Sequence, residues 1–127
     1  MCSSDLREAI GLVMSGVCSV EDLDKASVYG LGIRWAIVGP NLNGELNGGD
    51  RGIAEYFGPK YLGGFNEALS VMDDWKEFPL EYAEKYGIEG VKKEKANRDP
   101  EMGQTIQEII QHRDKMLINI LKLHKKV

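Results

Sequence analysis

Apolar residues recur at a spacing near 3.6 residues through the last quarter of the chain, and this pattern constrains the fold more than any other feature. It predicts one amphipathic helix of about 24 residues that begins at Asp99-Pro100-Glu101 and continues toward the C-terminal lysines. The residues of the stripe are Met102, Ile106, Ile109, Ile110, Leu117, Ile120 and Leu121. Only one apolar run, residues 30–40, could form a strand, and no second run exists to pair with it. The predicted fold class is therefore all-α, a bundle of roughly five to seven helices.

Weaker stripes of the same spacing predict two helices near the N-terminus. The first extends from Asp5 to about Ser15, with Ser4 as its N-cap and Gly16 at its end. The second runs from Ser19 to Gly30, and acidic residues in its first turn face the positive end of the helix dipole. A short connection between two helices is typical of an antiparallel hairpin.

The middle of the chain is rich in glycine, with ten glycines between Gly30 and Gly64. We expect residues 30–40 to form a buried, irregular or short-helical crossing, after which Pro40 starts a short helix near residues 42–46. Another short helix is predicted over residues 53–57. Beyond this stretch, helices are predicted from Phe65 to just before Pro79 and over residues 79–87, with a solvated helix or loop over 88–98.

Length and composition limit the class of protein. A chain of 127 residues with 43% hydrophobic residues can form a single helical domain, residues 1–127. The net charge of −4 gives no support for nucleic-acid binding, and no apolar run reaches the roughly 20 residues that span a bilayer. Cys2 and Cys18 are too few for a disulfide scaffold or a zinc site, and the first five residues lack the basic and apolar regions that a signal peptide has. We expect a soluble cytoplasmic protein.

Catalytic and metal-binding residues are not evident in the sequence. His112 and His124 lie about 120° apart on the predicted last helix, so they cannot share a metal ion. Cys18 has no histidine near it in sequence and is better explained as a small core residue. The pair Gly30 and Gly32 lacks the third glycine and the strand that a dinucleotide-binding fingerprint needs. We therefore predict no catalytic, metal-binding or cofactor-binding residue in this chain.

Arg34-Trp35 is the strongest candidate for a binding site. The guanidinium lies in an otherwise apolar segment bounded by glycines, and a charge in such surroundings needs a partner. One explanation is an ion pair of Arg34 with one of the 20 acidic residues, with Trp35 in the core. The other is that Arg34 binds an anionic group and Trp35 faces a cationic or apolar part of a ligand. The sequence leaves both open.

Three motifs together resemble a known family. They are Leu6–Val13, Gly16–Ala26, and Tyr29–Ala36 followed by Gly39-Pro40. This succession resembles the C-terminal domain of the 3-hydroxyacyl-CoA dehydrogenase family, and especially the branch that contains L-gulonate 3-dehydrogenase (lambda-crystallin) and L-carnitine dehydrogenase. Arg113-Asp114 and the apolar residues that follow are similar to the last helix of that branch. Asn41 departs from it, since a phenylalanine often follows the Gly-Pro pair there.

The resemblance implies the helical C-terminal domain of a two-domain enzyme, like that of 3-hydroxyacyl-CoA and 6-phosphogluconate dehydrogenases. In that family an N-terminal Rossmann domain binds NAD and holds the catalytic histidine, while the helical domain dimerises and closes the substrate cleft. On this basis the chain is expected to bind no NAD and to be inactive alone. Its expected partners are the Rossmann domain of the parent enzyme, a second copy of itself and a small 3-hydroxy substrate contacted by Arg34 and Trp35.

A second class of function fits the pattern as well. The long last helix could pack on another protein through its apolar stripe, in a helical interaction module without catalytic function. The sequence does not distinguish an acyl-CoA, carnitine or gulonate substrate, and it assigns no role to residues 60–98.

Overall fold

The computed structural model describes residues 3–127, and all regular structure in this range is helical. The prediction of an all-α fold is thus confirmed. Counted as uninterrupted stretches, the helices of this range number seven. None of them is long and apolar enough to cross a membrane. Cys2 lies outside the described residues.

The helices differ in length from three residues to 18. In chain order they are α1 (Ser3–Met14), α2 (Val20–Ala26), α3 (Ile33–Trp35), α4 (Pro40–Asn47), α5 (Ile53–Tyr56), α6 (Pro59–Ser70), α7 (Ile88–Asn97) and α8 (Ile106–Leu123). Two π-helical turns, Ser27–Gly32 and Ala83–Gly87, directly precede α3 and α7. The chain divides into two compact units: residues 1–18 and 22–79 form unit 1, and residues 19–21 and 80–127 form unit 2.

The N-terminal helices begin and end close to the predicted positions, with two exceptions. Gly16 follows α1 with φ +75°, a left-handed conformation that glycine adopts without steric cost, and α2 starts directly after Ser19 as predicted. Ser4, however, lies inside α1 and is not its N-cap. Gly30 does not end the second helix either, because helical hydrogen bonding continues through the π turn into α3.

The prediction that residues 30–40 form a buried crossing is wrong in its burial. The segment is helical up to Trp35, but Leu31, Ile33 and Ile37 are all exposed, the last at 70%. An apolar sequence indicates that a segment is buried by some surface, but that surface need not belong to the same chain. The short helices predicted after it are confirmed as α4, with Pro40 in its first turn, and α5.

Helices α4, α5 and α6 pack together in unit 1. The ring of Phe57 lies against Gly44 of α4, which is buried, and a Cβ there would be 2.9 Å from the ring. Phe57 also contacts Phe65 of α6, with ring centroids 5.7 Å apart. Tyr56 meets the same Phe65 ring edge to face at 5.4 Å. Aromatic contacts of this kind stabilise a fold beyond the burial of their area.

The helix predicted from Phe65 to Pro79 is wrong at both ends, since α6 starts at Pro59 and ends at Ser70. The following residues form an irregular loop that contacts α1. The backbone N–H of Asp73 donates to the Glu8 carboxylate, and the guanidinium of Arg7 lies 5.6 Å from the centroid of the Trp75 ring. The spacing of Trp75 continues the stripe of α6 and so extends the predicted helix past it, but in the structure Trp75 lies in this loop.

In unit 2, residues 19–21 pack on α7. The side chain of Val20, 7% exposed, occupies the space where Gly90 would carry a Cβ, and the Asn97 side-chain amide donates to the Glu21 carboxylate at 2.8 Å. Gly87 does not end a helix as predicted, because the π turn Ala83–Gly87 leads straight into α7.

Helix α8 begins later than predicted. Asp99 caps a short 3-10 turn, Pro100–Met102, which Gly103 ends with φ +84°. The long helix starts after Thr105, whose hydroxyl accepts from the Glu108 N–H while the Glu108 carboxylate accepts from the Thr105 N–H. This reciprocal capping box was readable as Thr-x-x-Glu in the sequence. The hydrogen bonds from the backbone of Thr105 and then of Gln104 lower the pKa of Glu108.

We predict that Gly103→Ala costs more stability than Gly16→Ala. Both glycines have positive φ, but an added Cβ meets open space at Gly16 and lies 2.6 Å from the Glu108 backbone carbon at Gly103. We expect a loss of about 1 kcal/mol in the free energy of unfolding for Gly16→Ala and about 3 kcal/mol for Gly103→Ala. Urea unfolding followed by circular dichroism measures both. Equal losses would show that the packing around Gly103 is not tight.

We also predict an acid-sensitive start to α8. Because folding lowers the pKa of Glu108, its carboxylate stabilises the fold above its unfolded-state pKa of about 4.3, and this contribution is lost as the pH falls through the lowered value. Carboxyl NMR titration should give Glu108 a pKa below that ordinary value.

The matched variant is Glu108→Gln, which keeps a hydrogen-bond acceptor but does not titrate. It should be less stable than the wild type at neutral pH and approach it in acid. A constant difference between the two proteins across this pH range would contradict the capping role of the carboxylate.

Candidate functional site

Arg34 and Trp35 form the last two residues of α3, in unit 1, and both are exposed. The structure gives the Arg34 side chain neither an ion pair nor a hydrogen bond within residues 3–127. Of the two explanations that the sequence left open, an internal ion pair is thus absent from the described part of the chain. Trp35 keeps 42% of its surface exposed, so it is not a core residue either.

The surroundings of this pair are apolar and uncovered. Val28, Tyr29, Leu31 and Ile33, which precede or adjoin it, are between 41% and 58% exposed. A single exposed apolar side chain is ordinary, but a continuous group of them marks a surface that contacts something else. We call this group, together with Arg34 and Trp35, the α3 surface. The α3 surface thus combines one guanidinium group, that of Arg34, with several exposed apolar side chains.

Such a surface is suited to a ligand with a carboxylate and an apolar or cationic body. The planar guanidinium of Arg34 can donate two parallel hydrogen bonds to one carboxylate, and an indole face attracts alkyl and ammonium groups alike. The α3 surface holds no histidine, cysteine or carboxylate, which are side chains that commonly move protons in enzymes. The chemistry that it can offer is the binding of a ligand.

Two depressions lie elsewhere on the described chain, and neither includes Arg34 or Trp35. One of about 290 Å³ is walled by the rings of Tyr56, Tyr61 and Phe65 in unit 1. At its rim the ammonium of Lys60 lies 5.0 Å from the Tyr61 centroid, and the hydrogen bond with Glu55 is the main cause of a raised Lys60 pKa. The other, about 260 Å³ in unit 2, is lined by Glu101, Glu108, His112 and Lys115 among others.

The structure adds no candidate for catalysis or metal binding in residues 3–127. No three histidine, cysteine or acidic side chains of this range come together as metal ligands. His112 lies at the rim of the unit 2 depression, whereas His124 follows α8 as its C-cap, so the placement of both histidines on one helix is wrong for His124. Cys18 is a half-buried free thiol in the connection between α1 and α2.

The described residues do not form the dinucleotide site of a Rossmann fold. That site holds the pyrophosphate at the end of a parallel strand, and residues 3–127 contain no strand. We therefore assign no NAD-binding residue to this part of the chain.

A second uncovered surface is the apolar stripe of α8, through which the sequence suggested that the last helix could pack on another protein. No residue of α8 is buried, and its main packing contact within the chain is the 3-10 turn that precedes it. Ile106, Leu117 and Leu121 are 67%, 50% and 42% exposed. The signal was present in the amphipathic period, which identifies a face that must be covered but does not identify what covers it.

Comparison with known proteins finds relatives that are dehydrogenases. The chain is 32% identical to L-carnitine dehydrogenase of Bacillus cereus over 94% of its length, which corresponds to 34% of that protein. It is 30% identical to L-carnitine dehydrogenase of Oceanobacillus iheyensis over 92% of its length and 35% of that protein. A 3-hydroxyacyl-CoA dehydrogenase of Gibberella moniliformis shares 38% identity over 56% of the chain.

No protein-family model matches the chain. The curated relatives nevertheless confirm the resemblance inferred from the three sequence motifs. The chain spans about a third of the length of these relatives, as expected for one domain of a larger dehydrogenase.

Proposed function

Because this chain is homologous to part of the L-carnitine and 3-hydroxyacyl-CoA dehydrogenases, we propose that residues 1–127 act as the C-terminal helical domain of such an oxidoreductase. The domain encloses the substrate and provides a dimer interface. The observation that carries the proposal is the α3 surface. Its arginine has no ion pair or hydrogen bond of its side chain among the described residues, and it lies in the segment that first suggested the resemblance. The free Cys18 thiol fits a reducing compartment such as the cytoplasm.

The proposed substrate is a small 3-hydroxy acid with a free carboxylate, such as L-carnitine. Arg34 is the only lysine or arginine between Lys25 and Arg51, and acidic residues outnumber basic ones in unit 1 as a whole. One guanidinium is sufficient for one carboxylate, whereas the several phosphates of a coenzyme A thioester need a broader positive field. The charge of this unit therefore favours the small acid.

Hydride acceptance is assigned to a part of the enzyme outside this chain. The relatives are about three times as long as the matched region, which leaves room for the Rossmann domain that the resemblance implies. In this proposal the Rossmann domain holds NAD. When bound there, NAD would accept a hydride from the substrate carbon that carries the 3-hydroxyl group. Arg34 holds the carboxylate of the substrate, Trp35 faces its apolar or cationic part, and together they exclude water.

The second copy of the chain is proposed to cover the apolar stripe of α8. An 18-residue amphipathic helix without a buried residue is unusual unless another surface packs on it. The competing function, a helical interaction module without catalysis, uses the same stripe but gives Arg34 no task.

We predict that this chain supports carnitine oxidation in a chimera. The matched third of the Bacillus cereus L-carnitine dehydrogenase is replaced by residues 1–127, and reduction of NAD is followed by absorbance with L-carnitine or a 3-hydroxyacyl-CoA as substrate. We expect turnover with L-carnitine. Arg34→Ala should raise the KM for L-carnitine roughly 10- to 100-fold, because a charge-assisted hydrogen bond contributes about 1.5–3 kcal/mol.

Arg34→Lys is the matched control, since it keeps the charge but loses the planar fork, and its KM should lie between those of the other two proteins. A folded, active chimera in which Arg34→Ala leaves KM unchanged would remove Arg34 from the substrate site. Turnover of the acyl-CoA in preference to L-carnitine would contradict the proposed substrate class.

We predict that Leu117→Asp separates the proposed dimer. Light scattering after gel filtration should give the wild-type chain twice its 14.2 kDa and the variant the monomer mass. Asn119→Asp is the control: it adds the same charge about 200° around α8, away from the stripe, and should leave the dimer intact. A wild-type chain that stays monomeric at high concentration would refute the second copy as the covering surface.

A further inference from the structure

In the π turn Ser27–Gly32, the backbone at Gly32 lies closer to the Ser27 carbonyl oxygen than a residue with a side chain allows. A Cβ added at Gly32 would lie 2.7 Å from the carbonyl oxygen of Ser27, five residues earlier. Real Cβ atoms do not approach a backbone oxygen so closely, so glycine is the residue that this turn requires. Gly32 itself has ordinary helical angles, with φ −60° and ψ −42°. The requirement is therefore one of space.

The other glycines near π turns do not share this feature. An added Cβ at Gly87, which ends the turn Ala83–Gly87, would be 3.4 Å or more from its neighbours. Gly30 lies within the same turn as Gly32, and an added Cβ there meets nothing within 4 Å. Among the glycines of the two π turns, Gly32 is thus the one with this close approach, and it lies two residues before Arg34.

A π turn changes the direction in which later side chains point. It takes in one residue more than an α turn, so each residue after it lies about 100° behind the position it would have in an unbroken α-helix. Arg34 is 11 residues from Leu23, which in an unbroken helix places both on one side, about 20° apart. With the π turn, Trp35 lies on the same side of the helix as the half-buried Leu23, and the exposed Arg34 points away from that side.

We propose that Gly32 is a positioning residue that sets the directions in which Arg34 and Trp35 each face the substrate. By leaving room for the Ser27 carbonyl it permits the π turn, and the π turn directs the guanidinium away from the side of Leu23. The inference rests on the proposed function insofar as Arg34 binds the carboxylate of the substrate. A side chain at Gly32 would favour an ordinary α turn and exchange the directions of Arg34 and Trp35.

The first test uses this chain alone and does not depend on catalysis. In a Trp75→Phe background, Trp35 is the only tryptophan, and acrylamide quenching reports its exposure. Gly32→Ala should increase the quenching because Trp35 rotates away from Leu23. Gly30→Ala, the same change two residues earlier, should leave quenching at the wild-type level. Equal quenching in both variants would overturn the proposal.

The second test measures kinetics in the chimera. Gly32→Ala should raise the KM for L-carnitine about tenfold with kcat changed less than about twofold, the pattern for lost binding without lost chemistry. Gly30→Ala should stay within about twofold of the wild type in both constants. A change in kcat alone, or equal effects of the two substitutions, would refute a positioning role.

Deletion of Val28 guards against a simple failure to fold. It removes the extra residue of the π turn, so Gly32 becomes the fourth residue after Ser27, as in an α-helix. The deletion should reproduce the KM of Gly32→Ala, and adding Gly32→Ala to it should have no further effect. Additive effects would overturn the proposal. If Arg34→Ala leaves KM unchanged while quenching still responds to Gly32→Ala, the proposed function fails and the role of Gly32 in orienting Trp35 stands.

Discussion

Contact at glycine is the constraint on which both units depend. Val20 meets α7 where Gly90 has no side chain, and the ring of Phe57 lies on α4 at Gly44. In each case a neighbouring side chain occupies the volume of the missing Cβ, which brings backbones closer than alanine would permit. Dispersion contacts depend steeply on distance, so such close packing stabilises even where few side chains are fully buried. The glycine content of this chain is thus part of its packing.

Although the helices pack closely at these glycines, much apolar surface of the described chain stays exposed. Ile10, Val13 and Val20 are the buried apolar residues of the described chain, while the α3 surface and most of α8 are exposed. In a protein that acts alone this distribution would promote aggregation. In the proposed domain, which closes over a substrate and pairs with another chain, these exposed surfaces are the ones that bind the substrate and the partner. The relatives, three times as long as the matched region, are in keeping with that view.

Local signals in the sequence predicted much of the fold because their physics is local. Pro40 opens α4, Gly16 follows α1, and the helical period of α8 is evident without a structure. Failures occurred where the deciding contact is distant or unusual. Trp75 continues the helical spacing by coincidence, but it lies in a loop and contacts Arg7. The prediction that Gly30 ends a helix is wrong because a π turn has no simple sequence signature. The pair Arg34 and Trp35 could be selected as candidates from charge and context, whereas their exposure could not, because it depends on what covers the segment.

The contact between α1 and the loop after α6 has a consequence for the order of folding. Glu8 and Asp73 are separated by 65 positions, whereas most other contacts of unit 1 join neighbours along the chain. Closing a loop of that length costs conformational entropy before any contact repays it, and the cost grows with the logarithm of the loop length. The helices and their aromatic contacts therefore assemble first, and the joining of the two ends of this unit is the late and slow event in its acquisition of native structure.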